Sequence, residues 1–317
     1  MRVKASFRPM QLVTPDECFR FLHGRSTVRI GGRQINLRGA REVALVGPPS
    51  EYGSEQNTVW SFPSRGEWAT HSADYPGNWS PYVPRNLIER FTTKDHLVLD
   101  PMMGSGTTLV ECRLLKRNAI GIDINQEAII LANDRLSFTH QNQPLSVGNS
   151  VDTYLGDARN LNELDDCSID LIATHPPYAN IIRYGEGSFE GDLSDLSSVT
   201  EYVEAMRDVA AEFFRVLRKD RHCGILVGDT RVHAHYVPIS YMVMAQFLAA
   251  GFVLKEDIIK VQHNTSSERG RWKGLCTQFY KIAHEHLFVF RKPSSSEECE
   301  RLVLSTIRSI DPRWADE

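Results

Sequence analysis

The 317-residue sequence has no C-x-x-C pair, no Pro-Cys dipeptide and no apolar run near the roughly 18 residues that cross a bilayer. Its six cysteines (Cys18, Cys112, Cys167, Cys223, Cys276 and Cys299) are scattered, which argues against a zinc cluster or a disulfide framework and for a reducing cytoplasm. The start, Met1-Arg2-Val3-Lys4-Ala5-Ser6, lacks a signal-peptide core, in keeping with a cytoplasmic protein and no membrane partner. No internal repeat is visible. With 41% hydrophobic and 24% charged residues, disordered, collagen-like and coiled-coil classes are excluded by composition.

A net charge of −4 argues against indiscriminate coating of nucleic acid, yet the charge is uneven. Residues 1–45 carry +6 and the remainder −10, with a second basic island of +3 over 262–281. A polyanion touched at two places is compatible with this pattern; a solvated basic face is equally so.

From about residue 97 onward, short apolar runs alternate with helical periodicity, the pattern of a parallel α/β sheet. Strands are expected at 96–100, 119–123, 153–157, 169–174, 224–228, 252–261 and 286–290. Helices are expected over 107–116, from an Asn125 cap to Leu136, over 199–217, and over 239–250 with Gly251 as the stop. The fold class is thus α/β, a doubly wound, seven-stranded, Rossmann-like sheet. Residues 1–60 are expected as a small, basic, β-rich appendage, 61–292 as the main domain, and 293–317 as a linker and terminal helix.

The first of these strands ends in Asp100-Pro101-Met102-Met103-Gly104-Ser105-Gly106-Thr107-Thr108. Glycines at a strand-to-helix turn admit a ligand to the backbone and aim helix N–H groups at its polar end. No lysine follows Gly106, so this is not a P-loop, and Leu109 stands where a dinucleotide turn needs a small residue. A carboxylate at the tip of the next strand, Asp123, can accept both hydroxyls of a ribose. Asp157, ending the third strand, can accept from an adenine amino group. Three acids at three successive strand ends favour a nucleoside site over unrelated turn residues.

On these residues the sequence resembles the S-adenosylmethionine-dependent DNA amino-methyltransferases, over roughly residues 60–291. Asp100-Pro101-Met102-Met103-Gly104-Ser105-Gly106 matches the family's cofactor turn, and Gly121-Ile122-Asp123-Ile124-Asn125 its ribose strand. Gly77-Asn78-Trp79-Ser80-Pro81-Tyr82-Val83-Pro84-Arg85-Asn86-Leu87-Ile88 is similar to the motif that closes over the cofactor's methionine end, and 63–68 to what precedes it. The resemblance implies S-adenosyl-L-methionine as cofactor. It implies Asn78, Pro81, Asp100, Pro101, Met102, Gly104, Ser105, Gly106, Thr107, Asp123, Ile124 and Asp157 as its binding residues. It implies no metal.

The fourth strand ends in Thr174-His175-Pro176-Pro177-Tyr178, which resembles the family's catalytic turn. An exocyclic amine on a nucleobase is a poor nucleophile. A side-chain acceptor and the carbonyl of the first proline can hold its hydrogens, while the aromatic ring stacks on the flipped base. Alignment with the methyl sulfonium can supply on the order of 7–11 kcal/mol. The family places Asp, Asn or Ser where His175 stands. A neutral imidazole can still accept one hydrogen bond, so activity should fall as His175 protonates between pH 8 and 5. The uncharged residue favours cytosine N4 over adenine N6. The missing Pro-Cys dipeptide argues against methylation at cytosine carbon-5.

DNA contacts are expected from Arg183, Tyr184, Arg269, Arg271, Trp272 and Lys273, where aromatics lie among cations. His233/His235 and His284/His286 each share a strand face, but no further ligands at matching spacing support a metal. Asp229 is expected to line the cleft. The function expected is site-specific DNA methylation, within restriction–modification beside a cognate endonuclease or alone. An RNA (tRNA) amino-methyltransferase and a non-catalytic nucleic-acid binder are the alternatives.

Overall fold

The computed structural model describes residues 7–141, 148–177, 191–196, 198–263 and 279–310. The strands, in chain order, are β1 (Gln11–Leu12), β2 (Thr27–Ile30), β3 (Arg33–Asn36), β4 (Arg41–Glu42), β5 (Val59–Ser61), β6 (Leu97–Asp100), β7 (Asn118–Asp123), β8 (Phe138–Thr139), β9 (Val151–Leu155), β10 (Ile169–Thr174), β11 (Leu217–Val227), β12 (Thr230–Val232), β13 (His235–Val237), β14 (Val253–Val261) and β15 (His284–Arg291). The helices are α1 (Pro15–Leu22), α2 (Tyr82–Phe91), α3 (Thr107–Leu114), α4 (Gln126–Leu136), α5 (Val199–Val216), α6 (Ile239–Ala249) and α7 (Ser296–Arg301).

A nine-stranded sheet runs β1-β9-β7-β6-β10-β11-β15-β14-β5. Its inner seven strands are the seven expected from sequence. Numbered along the chain, they lie in the order third, second, first, fourth, fifth, seventh, sixth, with the seventh antiparallel to both neighbours. Strand order therefore reverses between β6 and β10, and a crevice opens there beyond the carboxyl ends of the strands.

Apolar alternation explains the two layers. Along β15, Leu287 and Val289 face one core with Leu87, Ile88 and Leu109 from α2 and α3, while Phe288 and Phe290 face the other with Phe213 and Phe247 from α5 and α6. All six residues of β10 are buried, as expected of a central strand covered on both faces. The Ser198 hydroxyl caps α5, and its buried positions Tyr202, Met206, Val209, Phe213 and Val216 fall at helical spacing. Helix α2 carries Pro84 in its first turn, where a missing N–H costs no hydrogen bond.

Two expectations change. The N-terminal residues form the β2–β3 hairpin, but they also give β1, antiparallel on β9, while β5 at 59–61 lies parallel on β14. This part of the chain thus supplies both outer strands of the sheet, against Tyr154–Leu155 of β9 and 259–261 of β14. The reason is physical: an uncovered β9 or β14 would leave a row of unpaired backbone groups. At the far end, the part of the expected terminal helix that falls within the described residues is α7, followed by short 3-10 turns; residues 311–317 lie outside them.

Candidate active site

The carboxyl ends of β6, β7, β9 and β10, with the segments at 75–79 and 191–193, enclose a cavity of about 790 Å³ that opens to solvent. At its base, Asp100 is buried and ties three elements together. Its carboxylate accepts from the Thr108 hydroxyl of α3 at 2.5 Å, the Thr174 hydroxyl of β10 at 2.8 Å and the Met102 N–H at 3.3 Å. Burial raises its pKa to about 6, with those hydrogen bonds opposing the rise.

The turn from β6 into α3 depends on left-handed backbone at Gly104 (φ 51°) and Gly106 (φ 77°). A Cβ on Gly104 would sit 3.0 Å from the Tyr75 ring, and one on Gly106 would sit 3.0 Å from the Ala132 Cβ. Asp123 at the end of β7 accepts one backbone N–H on each oxygen, from Gly104 and from Asn125, both at 2.9 Å. A carboxylate has about four acceptor positions, so two remain for a diol. Burial, reinforced by Asp192 and Asp100, pushes its pKa to about 7.

Asp157 differs. Its oxygens accept from the Arg159 N–H, Nε and Nη2 in four contacts of 2.6–3.2 Å. Arg159 also donates to the Gly191 carbonyl at 2.6 Å. Asp157 lines the cavity as expected, and its ion pair with Arg159 also braces the 191–193 wall.

The opposite wall is the segment before α2. The Arg65 guanidinium donates to the carbonyls of Asn78 and Trp79 at 2.9 and 2.6 Å, and its burial lowers its pKa to about 10. The Asn78 amide donates to the Ser72 carbonyl and the Ser105 hydroxyl, both at 3.1 Å. Its Oδ1 is buried without a hydrogen-bond partner among the described residues. A buried unsatisfied acceptor on a cavity wall fits a ligand that brings a donor, such as an ammonium.

At the end of β10, His175 lines the cavity and stacks on Trp79, with ring centroids 5.9 Å apart at 26°. Burial lowers its pKa to about 4, Glu285 opposing and Lys260 and Arg65 adding to the effect. The imidazole is therefore neutral from pH 5 to 8, and the acid limb expected from sequence within that window moves below it.

Of the residues singled out by sequence, Asn78, Asp100, Pro101, Met102, Gly104, Ser105, Thr107, Asp123, Ile124, Asp157, His175 and Pro177 line the cavity. Four do not. Pro81 caps α2, Gly106 packs under α4, Pro176 is buried, and Thr174 points its hydroxyl at Asp100. Tyr178, Arg183, Tyr184, Arg269, Arg271, Trp272 and Lys273 lie outside the described residues. Sequence reasoning did not single out the lining residues Tyr75, Trp79, Gly156, Asp192 and Leu193. Trp79 sits inside the motif at 77–88 and Gly156 beside Asp157, so both were within reach, whereas Asp192 and Leu193 carry no local signal. Asp229 does not line the cavity; it accepts from the Ser240 N–H and hydroxyl at 2.7 and 2.9 Å and so caps α6. His286 is a core residue whose Nδ1 lies 2.9 Å from Asp257. Among the described residues, no group of three metal-ligating side chains converges.

Four carboxylates (Asp100, Asp123, Asp157 and Asp192) line the cavity, and among the described lining residues there is no lysine or arginine. Fold and site together define a doubly wound α/β protein with an acidic small-molecule site at its switch point. The DNA methylase family matches residues 32–134 and 169–309, more than half of the sequence, and the chain belongs to that family. A second family pattern, the RMKL-like methyltransferase domain, matches residues 87–189. The chain is 36% identical over 81 residues to the Type II methyltransferase M2.MboI of Moraxella bovis, covering 26% of this chain and 30% of that protein. It is 33% identical over 84 residues to the Type II methyltransferase M.HpaI of Haemophilus parainfluenzae, covering 26% and 27%. The matched segments thus span under a third of these relatives' length. A solved SAM-dependent methyltransferase from Methanosarcina mazei superposes with a TM-score of 0.45 at 15% identity, over 66% of this chain and 97% of that one.

Proposed function

We propose that the protein methylates an exocyclic amine of a DNA base, cytosine N4 or adenine N6, using S-adenosyl-L-methionine. The observation that carries this reading is the charge of the cavity. Four lining carboxylates, one of them (Asp157) paired with Arg159, and an unsatisfied Asn78 oxygen suit a ligand with a cationic sulfonium and an ammonium, and oppose a nucleotide phosphate. Asp123 would take the ribose hydroxyls with its two remaining acceptor positions, and Asn78 the ammonium of the methionine end. The bound cofactor supplies an electrophilic methyl group.

The remaining work falls to the protein. Asp100 holds the glycine turn and the end of β10 together through Thr108 and Thr174, so the donor pocket and His175 share one rigid base. His175, kept neutral by burial, offers an acceptor to one amine hydrogen. A cofactor held by Asp123 and Asn78 would supply its methyl group to an amine that His175 orients. The methylated amine then sheds one proton to solvent. Tyr178 follows in sequence and supplies the ring on which a flipped base would stack. The DNA methylase family match supports DNA as the acceptor; a restriction endonuclease as functional companion is part of the proposal.

The test is transfer of a labelled methyl group to duplex DNA or to total tRNA, with nucleosides then identified by mass spectrometry. Label in N4-methylcytosine or N6-methyladenine is the expected result. Label found only in RNA would move the protein to the RNA amino-methyltransferases, and label in neither would make it a binding protein.

A further inference from the structure

From Arg20 to Arg41 the chain holds six arginines and no lysine, aspartate or glutamate, although its net charge is −4. A surface that serves only solubility mixes both signs of charge. Arginine without lysine is the choice where phosphates or planar base edges are gripped by a rigid fork of donors. The fold shows what this stretch builds. β2 and β3 pair antiparallel, Thr27 with Asn36 and Arg29 with Gln34, around the Gly31-Gly32 turn, whose φ values of 57° and 69° suit a tight hairpin. Val28, Ile30 and Ile35 point inward and pack with Ala128, Ile130 and Leu131 of α4. By alternation Thr27, Arg29, Gln34 and Asn36 share the other face, and every one of them is polar.

The ribbon is held rigidly and beside the cavity. Arg25 Nη1 lies 2.7 Å from Glu127 Oε1 in the first turn of α4, and Arg41 Nη1 lies 3.4 Å from Asp134 Oδ2 in its last. Asp134 also accepts from the Arg38 and Gly39 N–H groups at 3.0 and 2.7 Å. Helix α4 starts from Asn125, which lines the cavity, and Tyr75 lines the cavity while packing in the same apolar cluster as Val28, Ile30 and Ile35. The amides of Gln34 and Asn36 and the guanidinium groups of Arg33 and Arg38 are exposed. They make no side-chain hydrogen bond or ion pair among the described residues.

We propose that the β2–β3 ribbon is a sequence-reading contact with duplex DNA, in which Gln34 and Asn36 meet base edges in the major groove while Arg33 and Arg38 hold phosphates. This rests on the reading of the protein as a DNA methylase. The major groove, about 12 Å wide, admits a two-stranded ribbon, and a side-chain amide matches the donor and acceptor that adenine presents there. The Gly31-Gly32 tip carries no side chain, so it can pass close to the backbone. Because α4 and its neighbours already fix the ribbon, little ordering is required on binding. Duplex held here lies against the rim of the cavity that takes the cofactor.

The test compares the full wild-type chain with two double variants of exposed residues, Arg33→Gln/Arg38→Gln and Gln34→Ala/Asn36→Ala. Fluorescence anisotropy measures affinity for labelled duplex across a salt series, and sequencing of the bound fraction of a randomised duplex library measures base preference. Neither readout depends on methyl transfer. The arginine variant should weaken binding of all sequences alike and make log K fall with log salt less steeply, by about 2 in slope. The amide variant should keep the wild-type slope and lose preference at the bases it reads, about 5–100-fold at each. Thermal unfolding and cofactor affinity should stay at wild-type values in both. Slope and preference unaltered in the two variants overturn the proposal. So does an amide variant that keeps the wild-type preference, which leaves a phosphate clamp in place of a reader. An arginine variant that weakens binding of tRNA but not of duplex also overturns it, making the ribbon an RNA contact. Absence of methyl transfer to any nucleic acid, by a chain whose ribbon variants behave as expected, overturns the functional reading instead.

Discussion

His175 and Asp123 act on the pH behaviour of the site in different ranges. His175 has its pKa lowered to about 4, so the neutral ring that accepts a hydrogen bond persists down to pH 5. The expected kcat profile is therefore flat, as far as His175 is concerned, from pH 8 to 5 under saturating cofactor and DNA, and an acid limb near pH 6.5 that disappears in His175→Asn would contradict it. Asp123 is raised to about 7 in the empty protein. A diol and a cation favour its charged form, so the bound pKa lies lower and binding releases a proton below pH 7. Cofactor affinity should fall by up to about tenfold per unit as pH drops from 7 towards the bound value. Calorimetry in buffers of different ionisation enthalpy checks this, and Asp123→Ala should bind weakly with no such slope. At this scale the sequence was informative wherever a residue's role follows from its place on a strand end, as for Asp100 and Asp123. For Asp157 the folded chain adds what the sequence does not show, an ion pair with Arg159, two residues away.

Among the elements, the wall before α2 depends on one buried carboxylate. Glu111 of α3 is fully buried and accepts from Trp68 Nε1 at 2.7 Å and Arg85 Nη1 at 2.9 Å, with His71 Nε2 at 2.7 Å. These contacts pin residues 68–85, which carry Asn78 and Trp79, onto the helix that begins at the glycine turn. Glu111→Gln leaves Arg85 without its buried counter-charge, and should lower unfolding stability by about 3 kcal/mol in denaturant titrations. It should weaken cofactor binding as well, since Asn78 rides on the same segment. Gly104→Ala is expected to lose cofactor uptake at a stability cost of about 1–2 kcal/mol, because alanine must take φ 51° and its methyl meets the Tyr75 ring. Unaltered binding by that variant would show that the turn does not approach the ligand. The strands and helices that set these elements were legible through period and caps: Asn125 does cap α4, and Gly251 does follow α6. Helix α2 was not among the expected helices; its apolar face packs on β10 and β11.

Across the whole molecule, the seven inner strands could be read from apolar runs, but their two outer neighbours could not. β1 is two residues long and β5 three, too short for any periodic signal, and both are fixed only by the edge they cover. That has a consequence for integrity. Deleting residues 7–13 should expose the free edge of β9 and raise aggregation, measured by light scattering on refolding. Unchanged scattering would mean that β1 guards nothing. The acidic character of the site is likewise a property of the assembled sheet, because its four carboxylates come from three strand ends and a segment after β10. The most direct test of that character is a calorimetric comparison of three ligands on the wild-type chain: S-adenosyl-L-methionine, its neutral thioether product, and ATP. The account predicts uptake of the first two and none of ATP, with both lost together in Asn78→Leu/Asp123→Ala. Binding of ATP with no uptake of the sulfonium compound would contradict it.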